Sequence, residues 1–162
     1  CNVYWSSIMS EKRIVYQGED GIAKIVVPTK EYKGTMDDLL KKVVPENCKD
    51  SADIVEVDTI PNDRTFRNAW VTSKGKSAEI DLAKAKEEAK IKVRQARTPK
   101  FQELDILYQR ADEDGDADNK KAVADKKKVA RDATKNTKIT NADSIDKLKE
   151  GMEAVIKEVG DL

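Results

Sequence analysis

The chain has 162 residues, of which 38% are charged and 5% aromatic, and its 31 basic residues balance its 31 acidic residues. This length predicts one domain, or one small domain with an extended appendage, and the charge balance argues against nucleic acid as a partner. Histidine is absent, which excludes Ser-His and Cys-His catalysis and removes the commonest metal ligand.

The cysteines and the hydropathy indicate the expected compartment. Two cysteines, Cys1 and Cys48, are too few for a disulfide framework, although one pair could form. No stretch approaches the ~20 apolar residues of a membrane span, and no secretory leader is recognisable. We therefore expect synthesis in a cytoplasm and no membrane partner. Met9, followed by Ser-Glu-Lys, has the form of a natural start, in which case residues 1–8 are upstream sequence.

The N-terminal half predicts a small β-rich domain over residues 1–80. β-branched runs at residues 13–17 and 22–27 flank Gly18-Glu19-Asp20-Gly21, which predicts a hairpin. A short helix follows, with Thr35 as N-cap, an apolar face and Pro45 as its end. The members of that face are Leu39, Leu40, Val43 and Val44.

Further strands are expected later in this half. Residues 53–59 alternate apolar and polar side chains, as a half-buried strand does. Another short strand lies near Trp70 and returns through residues 79–81. Phe66 and Trp70 are interpreted as core residues of the small sheet, with an exposed surface for a partner as the alternative.

The second half, residues 81–162, predicts an extended helical hairpin or bundle with helices at about 81–97, 99–114, 119–134 and 142–159. Asp81 caps the first helix, and Thr98-Pro99 is expected to act as a hinge before the second. Ala122, Val129 and Ala133 are expected to face inward from the third helix. The last helix has the widest apolar face. Because strands are predicted in the first half and helices in the second, the predicted fold class is α+β.

Acidic residues suggest one metal site. In the segment 112–118, Asp114, Asp116 and Asp118 have calcium-loop spacing, but Asn119 occupies the position that requires glycine. An interhelical turn with capping acids is the preferred interpretation. Other acidic pairs lie among lysines at helical spacing, so no catalytic pair, cofactor or small-molecule substrate is predicted.

The pattern DRTFRNAW at residues 63–70, followed by the run VRQARTPKFQELDILYQRADEDGD and by ARDAT, resembles a group of small phage and prophage proteins encoded near tail-fibre genes. The resemblance spans roughly residues 60–150. It implies a non-enzymatic virion component, made in the host cytoplasm, that acts as a small adaptor or decoration protein on tail, fibre or capsid subunits or by self-association. The alternative is a tail-fibre assembly chaperone that is absent from the mature virion.

The residues expected to contact partners are the apolar stripes of the long helices. The alanine-rich stripe of the first helix is too thin to pack alone, so we expect a partner or an oligomer to cover it. These residues are Leu82, Ala85, Ala89, Val93, Phe101, Leu104, Tyr108, Leu148, Met152, Val155 and Ile156.

Overall fold

The computed structural model describes residues 11–162, and the expectations for Cys1 and for a start at Met9 lie outside them. The chain divides into two compact units, one ending at Asp81 and the other running from Leu82 to Leu162. Within the described residues, the strands lie in the first unit together with a helix at Met36–Val43, and the second unit is helical. The fold class is therefore α+β, as the sequence predicts.

A three-stranded antiparallel sheet organises the first unit. Its strands are β1 (Lys12–Gln17), β2 (Ala23–Val26) and β3 (Asp53–Glu56), in the order β2-β1-β3. The predicted hairpin is confirmed, with Ile14 opposite Val26 in its register. Gly21 takes a φ of 73° in the turn, a conformation that other residues rarely adopt. β1 is the central strand, so both of its edges are paired.

One face of the sheet packs against α1 (Met36–Val43). Thr35 caps this helix through a capping box: its hydroxyl accepts from the Asp38 amide, and the Asp38 carboxylate accepts from the Thr35 amide. The prediction that Val43 belongs to the apolar face of this helix is wrong, because Val43 is 37% exposed. A 3₁₀ segment, Glu46–Ser51, follows Pro45. The core on this side is formed by Ile14, Met36, Leu39, Val44 and Cys48.

The opposite face of the sheet carries the second core of the unit, around Trp70. Phe66 and Trp70 are each 1% exposed, which confirms their assignment to the core. Two expectations are corrected. The strand predicted for residues 53–59 ends at Glu56, because Val57–Thr59 forms a 3₁₀ turn instead. The short strands β4 (Trp70–Val71) and β5 (Glu79–Ile80) form a separate two-stranded sheet and do not extend the first one.

The second unit is built on one long helix, α2 (Leu82–Glu113), which passes through Pro99 without interruption. The hinge expected at Thr98-Pro99 is therefore wrong. Proline lacks the amide that would bond to the Gln95 carbonyl, yet the Thr98 hydroxyl donates to the Arg94 carbonyl at 3.0 Å and adds a bond to the same turn. Packing along both halves of α2 keeps the helix continuous.

Three further helices complete this unit: α3 (Ala117–Asp132), α4 (Thr137–Thr140) and α5 (Ile145–Gly160). The orientation predicted for the third helix is corrected in part. Ala122 is exposed and Val129 is 54% exposed, whereas Val123 and Ala130 are buried together with the correctly placed Ala133. The Asp116 side chain caps α3 by accepting from the Asn119 amide.

α2 packs against both α3 and α5. Ala85 and Ala89 are completely buried, and their small side chains allow a neighbouring helix to approach closely. Leu148 and Val155 of α5 are buried in the same unit. Gly151 also allows close approach, on another side of α5, because a Cβ at that position would lie 2.9 Å from the Lys138 carbonyl carbon. α4 therefore contacts the backbone of α5 directly.

Candidate interaction surfaces

The residues predicted to bind partners are used mainly inside the helical unit. Seven of the eleven are buried by the chain's own helices, so in this structure they form a core and not a docking surface. The thin alanine stripe of α2 is covered by α5, which removes the need for an outside partner at that face. The buried seven are Ala85, Ala89, Val93, Leu104, Leu148, Met152 and Val155, and the half-buried remainder are Leu82, Phe101, Tyr108 and Ile156.

Two ion pairs show the register of α3 against α2. Lys120 pairs with Asp112, and Lys127 pairs with Asp105 at 2.6 Å. As residue numbers rise along α3 they fall along α2, so the two helices are antiparallel. The contact with Asp112 raises the pKa of Lys120. The Tyr108 ring lies between these lysines, with its centroid 5.4 Å from Lys120 Nζ and 4.9 Å from Lys127 Nζ, which explains why it is half-buried.

Arg97 links α2 to the C-terminal end of α3. Its Nη1 donates to the Ala130 carbonyl at 3.2 Å and to the Arg131 carbonyl at 2.8 Å. These carbonyls belong to the last turn of α3, where backbone acceptors lack helical partners and the helix dipole favours a cation. The same guanidinium lies 5.6 Å from the centroid of the Phe101 ring. Phe101 and Arg97 thus stabilise the fold from one face of α2.

The exposed side of α2 carries a row of six uncharged side chains that the sequence analysis missed. We call it the outer stripe, and its spacing of 4-3-4-4-3 residues places it on one side of the helix over about 27 Å. Two isoleucines anchor it, Ile91 at 49% and Ile106 at 50% exposure. The sequence contains this signal, although the charged residues that interrupt it obscure the pattern. The outer stripe consists of Ile91, Gln95, Thr98, Gln102, Ile106 and Gln109, all exposed.

α3 presents a different outward face, which alternates in charge. The residues Lys121, Asp125, Lys128 and Asp132, which we call the charge stripe, follow each other at spacings of 4, 3 and 4 and are all exposed. Beside it, Val129 lines a groove of about 680 Å³ between the C-terminal half of α3 and the end of α5. Thus an apolar side chain and alternating charges lie side by side on one exposed helix.

The acidic segment 112–118 forms the connection between α2 and α3. Gly115 has a φ of 68°, and its amide donates to the Asp112 carbonyl while the Asp116 amide donates to the Ala111 carbonyl. This is a glycine-terminated helix end followed at once by the Asp116 cap of α3. Within residues 11–162, no three acidic or cysteine side chains converge in a way that could hold a metal ion. The segment therefore matches the interhelical turn and not the calcium loop.

Arg67 in the first unit also stacks on an aromatic ring. Its guanidinium lies 4.5 Å from the centroid of the Trp70 ring, and Nη2 donates to the Ala23 carbonyl at 2.8 Å. Partial burial lowers the pKa of Arg67, and the positive charge of Arg64 lowers it further. The Trp70 indole nitrogen is buried and has no acceptor among residues 11–162. These contacts bridge β2 to the second core, which is a structural role for the DRTFRNAW segment.

Comparisons with known protein families, with curated proteins and with solved structures found no match. Among the helices of the described residues, none combines the length and apolar character needed to cross a membrane. The chain is an α+β protein, and its helical unit has two different exposed helix faces, the outer stripe of α2 and the charge stripe of α3.

Proposed function

We propose that this protein is a non-enzymatic structural component that acts by protein–protein contact, and that the outer stripe of α2 is its docking surface. The observation that carries the proposal is the outer stripe itself. In a chain with 38% charged residues, six exposed positions along one face of the longest helix carry no charge. A solvated helix face is normally charged, whereas a face that meets a partner is depleted in charge.

The chemistry of the outer stripe fits a partner helix. Ile91 and Ile106 supply two apolar anchors, 15 residues apart in the sequence and about 22 Å apart along the axis. Between them, Gln95 and Gln102 can donate and accept hydrogen bonds, and the Thr98 hydroxyl can accept them, without the desolvation cost of a charge. The spacing follows a heptad-like pattern with one extra step, as in helices that pack side by side. We infer that the partner contributes a helix with a similar uncharged face.

The resemblance to phage tail-region proteins suggests the biological setting of this contact. On that basis the protein is a virion component, a small adaptor or decoration protein bound to tail, fibre or capsid subunits. The absence of histidine from the sequence agrees with a non-enzymatic role.

The first test is mass spectrometry of purified particles of the phage that encodes the chain. The expected result is the protein in the particles at a stoichiometric level. Its presence in the lysate together with its absence from the particles would contradict the virion role and favour the assembly chaperone.

The second test places charges in the outer stripe. We expect the double variant Ile91→Glu and Ile106→Glu to fold normally, because both side chains are half exposed, but to be lost from the particles. The double variant Ala83→Glu and Ala117→Glu is the matched control, since it introduces the same two charges at exposed helix positions outside the stripe. Retention of the double variant at the control's level would contradict docking through this face.

A further inference from the structure

We propose that the charge stripe of α3 is a self-association surface, and that its occupant is α3 of a second copy of this chain in antiparallel orientation. This surface is distinct from the outer stripe of α2, so the inference does not depend on the proposed role in particles. The argument rests on the order of charges, on the absence of salt bridges at three of the four within the described residues, and on the exposed Val129.

The charge stripe is complementary to itself when reversed. Read along α3 it runs Lys121, Asp125, Lys128, Asp132, so an antiparallel second copy presents Asp opposite every Lys. Lys121 meets Asp132 of the second copy, and Asp125 meets Lys128 of the second copy. Two-fold symmetry repeats both contacts, which gives four ion pairs from one register. A parallel arrangement in the same register would place like charges opposite each other, so the stripe specifies orientation.

Most of these charges have no ion pair within the monomer. Between residues 11 and 162, Lys121, Asp125 and Lys128 form no salt bridge, although the lysines on the opposite side of α3 are paired with α2. Asp132 contacts Lys135 at 3.0 Å, and this contact lowers the pKa of Asp132. That pair is exposed on both sides, so exchanging it for Lys121 of a second copy costs little.

An apolar contact lies next to the ion pairs. Val129 is 54% exposed, and the antiparallel register brings it close to Ala122 of the second copy, which is also exposed. The groove beside Val129 leaves room for the approaching helix. Burial of this pair supplies an attractive term that salt does not screen, whereas the ion pairs determine register. A second copy also carries the matching stripe by necessity.

The test is the mass of the full-length protein in solution, measured by sedimentation over a range of concentrations. We expect a reversible dimer at low salt that weakens between about 0.1 M and about 1 M salt, as the Debye length falls from ~10 to ~3 Å. A protein that stays monomeric at every concentration and salt level would overturn the proposal.

Two single variants identify the surface. Asp125→Lys alone and Lys128→Asp alone each place like charges opposite each other twice per dimer, so we expect each to weaken the dimer about tenfold or more. Mixing the two variants restores opposite charges at every position of the stripe, so the mixture is expected to form a heterodimer of wild-type strength. Heterodimer formation also demonstrates that both variants are folded.

Glu153→Lys is the matched control, because it makes the same charge change as Asp125→Lys at an exposed position of α5. It is expected to leave the dimer unchanged. A dimer that is unaffected by either charge-stripe variant, or a mixture that fails to associate, would show that α3 is not the interface. Neither result bears on the outer stripe, so the two proposals fail separately.

Discussion

Gly151 gives the sharpest test of how the helical unit is packed. It lies in the interior of α5, where glycine is normally unfavourable, and replacement by alanine would stabilise an isolated helix by about 1 kcal/mol. In this structure a Cβ at position 151 would lie 2.9 Å from the Lys138 carbonyl carbon and 3.1 Å from the Lys138 Cβ. The local preference and the tertiary contact therefore predict opposite effects of Gly151→Ala.

The tertiary contact is expected to prevail. Overpacking costs roughly 1–3 kcal/mol, and the upper half of that range applies because the obstacle is backbone, which cannot rotate away as a side chain does. Subtracting the helix-propensity gain of about 1 kcal/mol leaves a net loss of about 1–2 kcal/mol. For a unit of this size, each ~1 kcal/mol lowers the melting temperature by roughly 4–8 °C.

Urea and thermal unfolding followed by circular dichroism at 222 nm measure this change. Gly160→Ala is the matched control, because Gly160 ends the same helix and a Cβ there meets nothing within 4 Å. The control is expected to be neutral or slightly stabilising. A Gly151→Ala variant as stable as the control would refute the close contact between α4 and α5.

Three further predictions concern other parts of the chain. Pro99→Ala should stabilise the helical unit by about 1–3 kcal/mol in urea unfolding, because proline costs about 3 kcal/mol inside a helix; no gain would favour a hinge at that point. Leu148→Asp should lower stability by several kcal/mol, because it buries a charge at a completely buried position, whereas Leu148→Met should cost less than about 1.5 kcal/mol. Thr35→Ala should raise the pKa of Asp38 towards its ordinary value of 3.8 in an NMR titration, because the Thr35 hydroxyl donates to the Asp38 carboxylate at 2.7 Å and this bond is the main cause that holds the pKa down. Since the folded pKa is the lower one, this contribution to stability is present above pH 3.8 and is lost as the pH falls through the folded value; an unchanged pKa in Thr35→Ala would refute the hydrogen bond between the hydroxyl and the carboxylate.

Local signals were sufficient for most of the first unit. The turn before Ile22, the cap at Thr35 and the aromatic core at Phe66 and Trp70 follow from residue types whose preferences act over a few positions. The strand predicted for residues 53–59 is too long, because alternation of apolar and polar residues does not reveal where pairing with β1 stops. Pairing ends at Glu56, opposite Lys12.

Long-range packing decided the points that the sequence left open in the second unit. The proline at position 99 carries a local preference to end a helix, yet α3 and α5 cover both halves of α2 and keep it continuous. The same packing buried the apolar stripe that the sequence offered as a partner surface. It left exposed the outer stripe, which periodicity alone could equally have assigned to a core.

The sequence by itself determined the α+β class, the division near residue 81 between strands and helices, and the helix cap at Thr35, because these depend on composition, period and local hydrogen bonding. The tertiary structure decided which face of each helix is buried. That choice depends on close approach between segments far apart in the chain, such as Gly151 against Lys138 and Arg97 against the last turn of α3. Only once those contacts are placed do the uncharged stripe of α2 and the alternating charges of α3 stand out as surfaces available for binding.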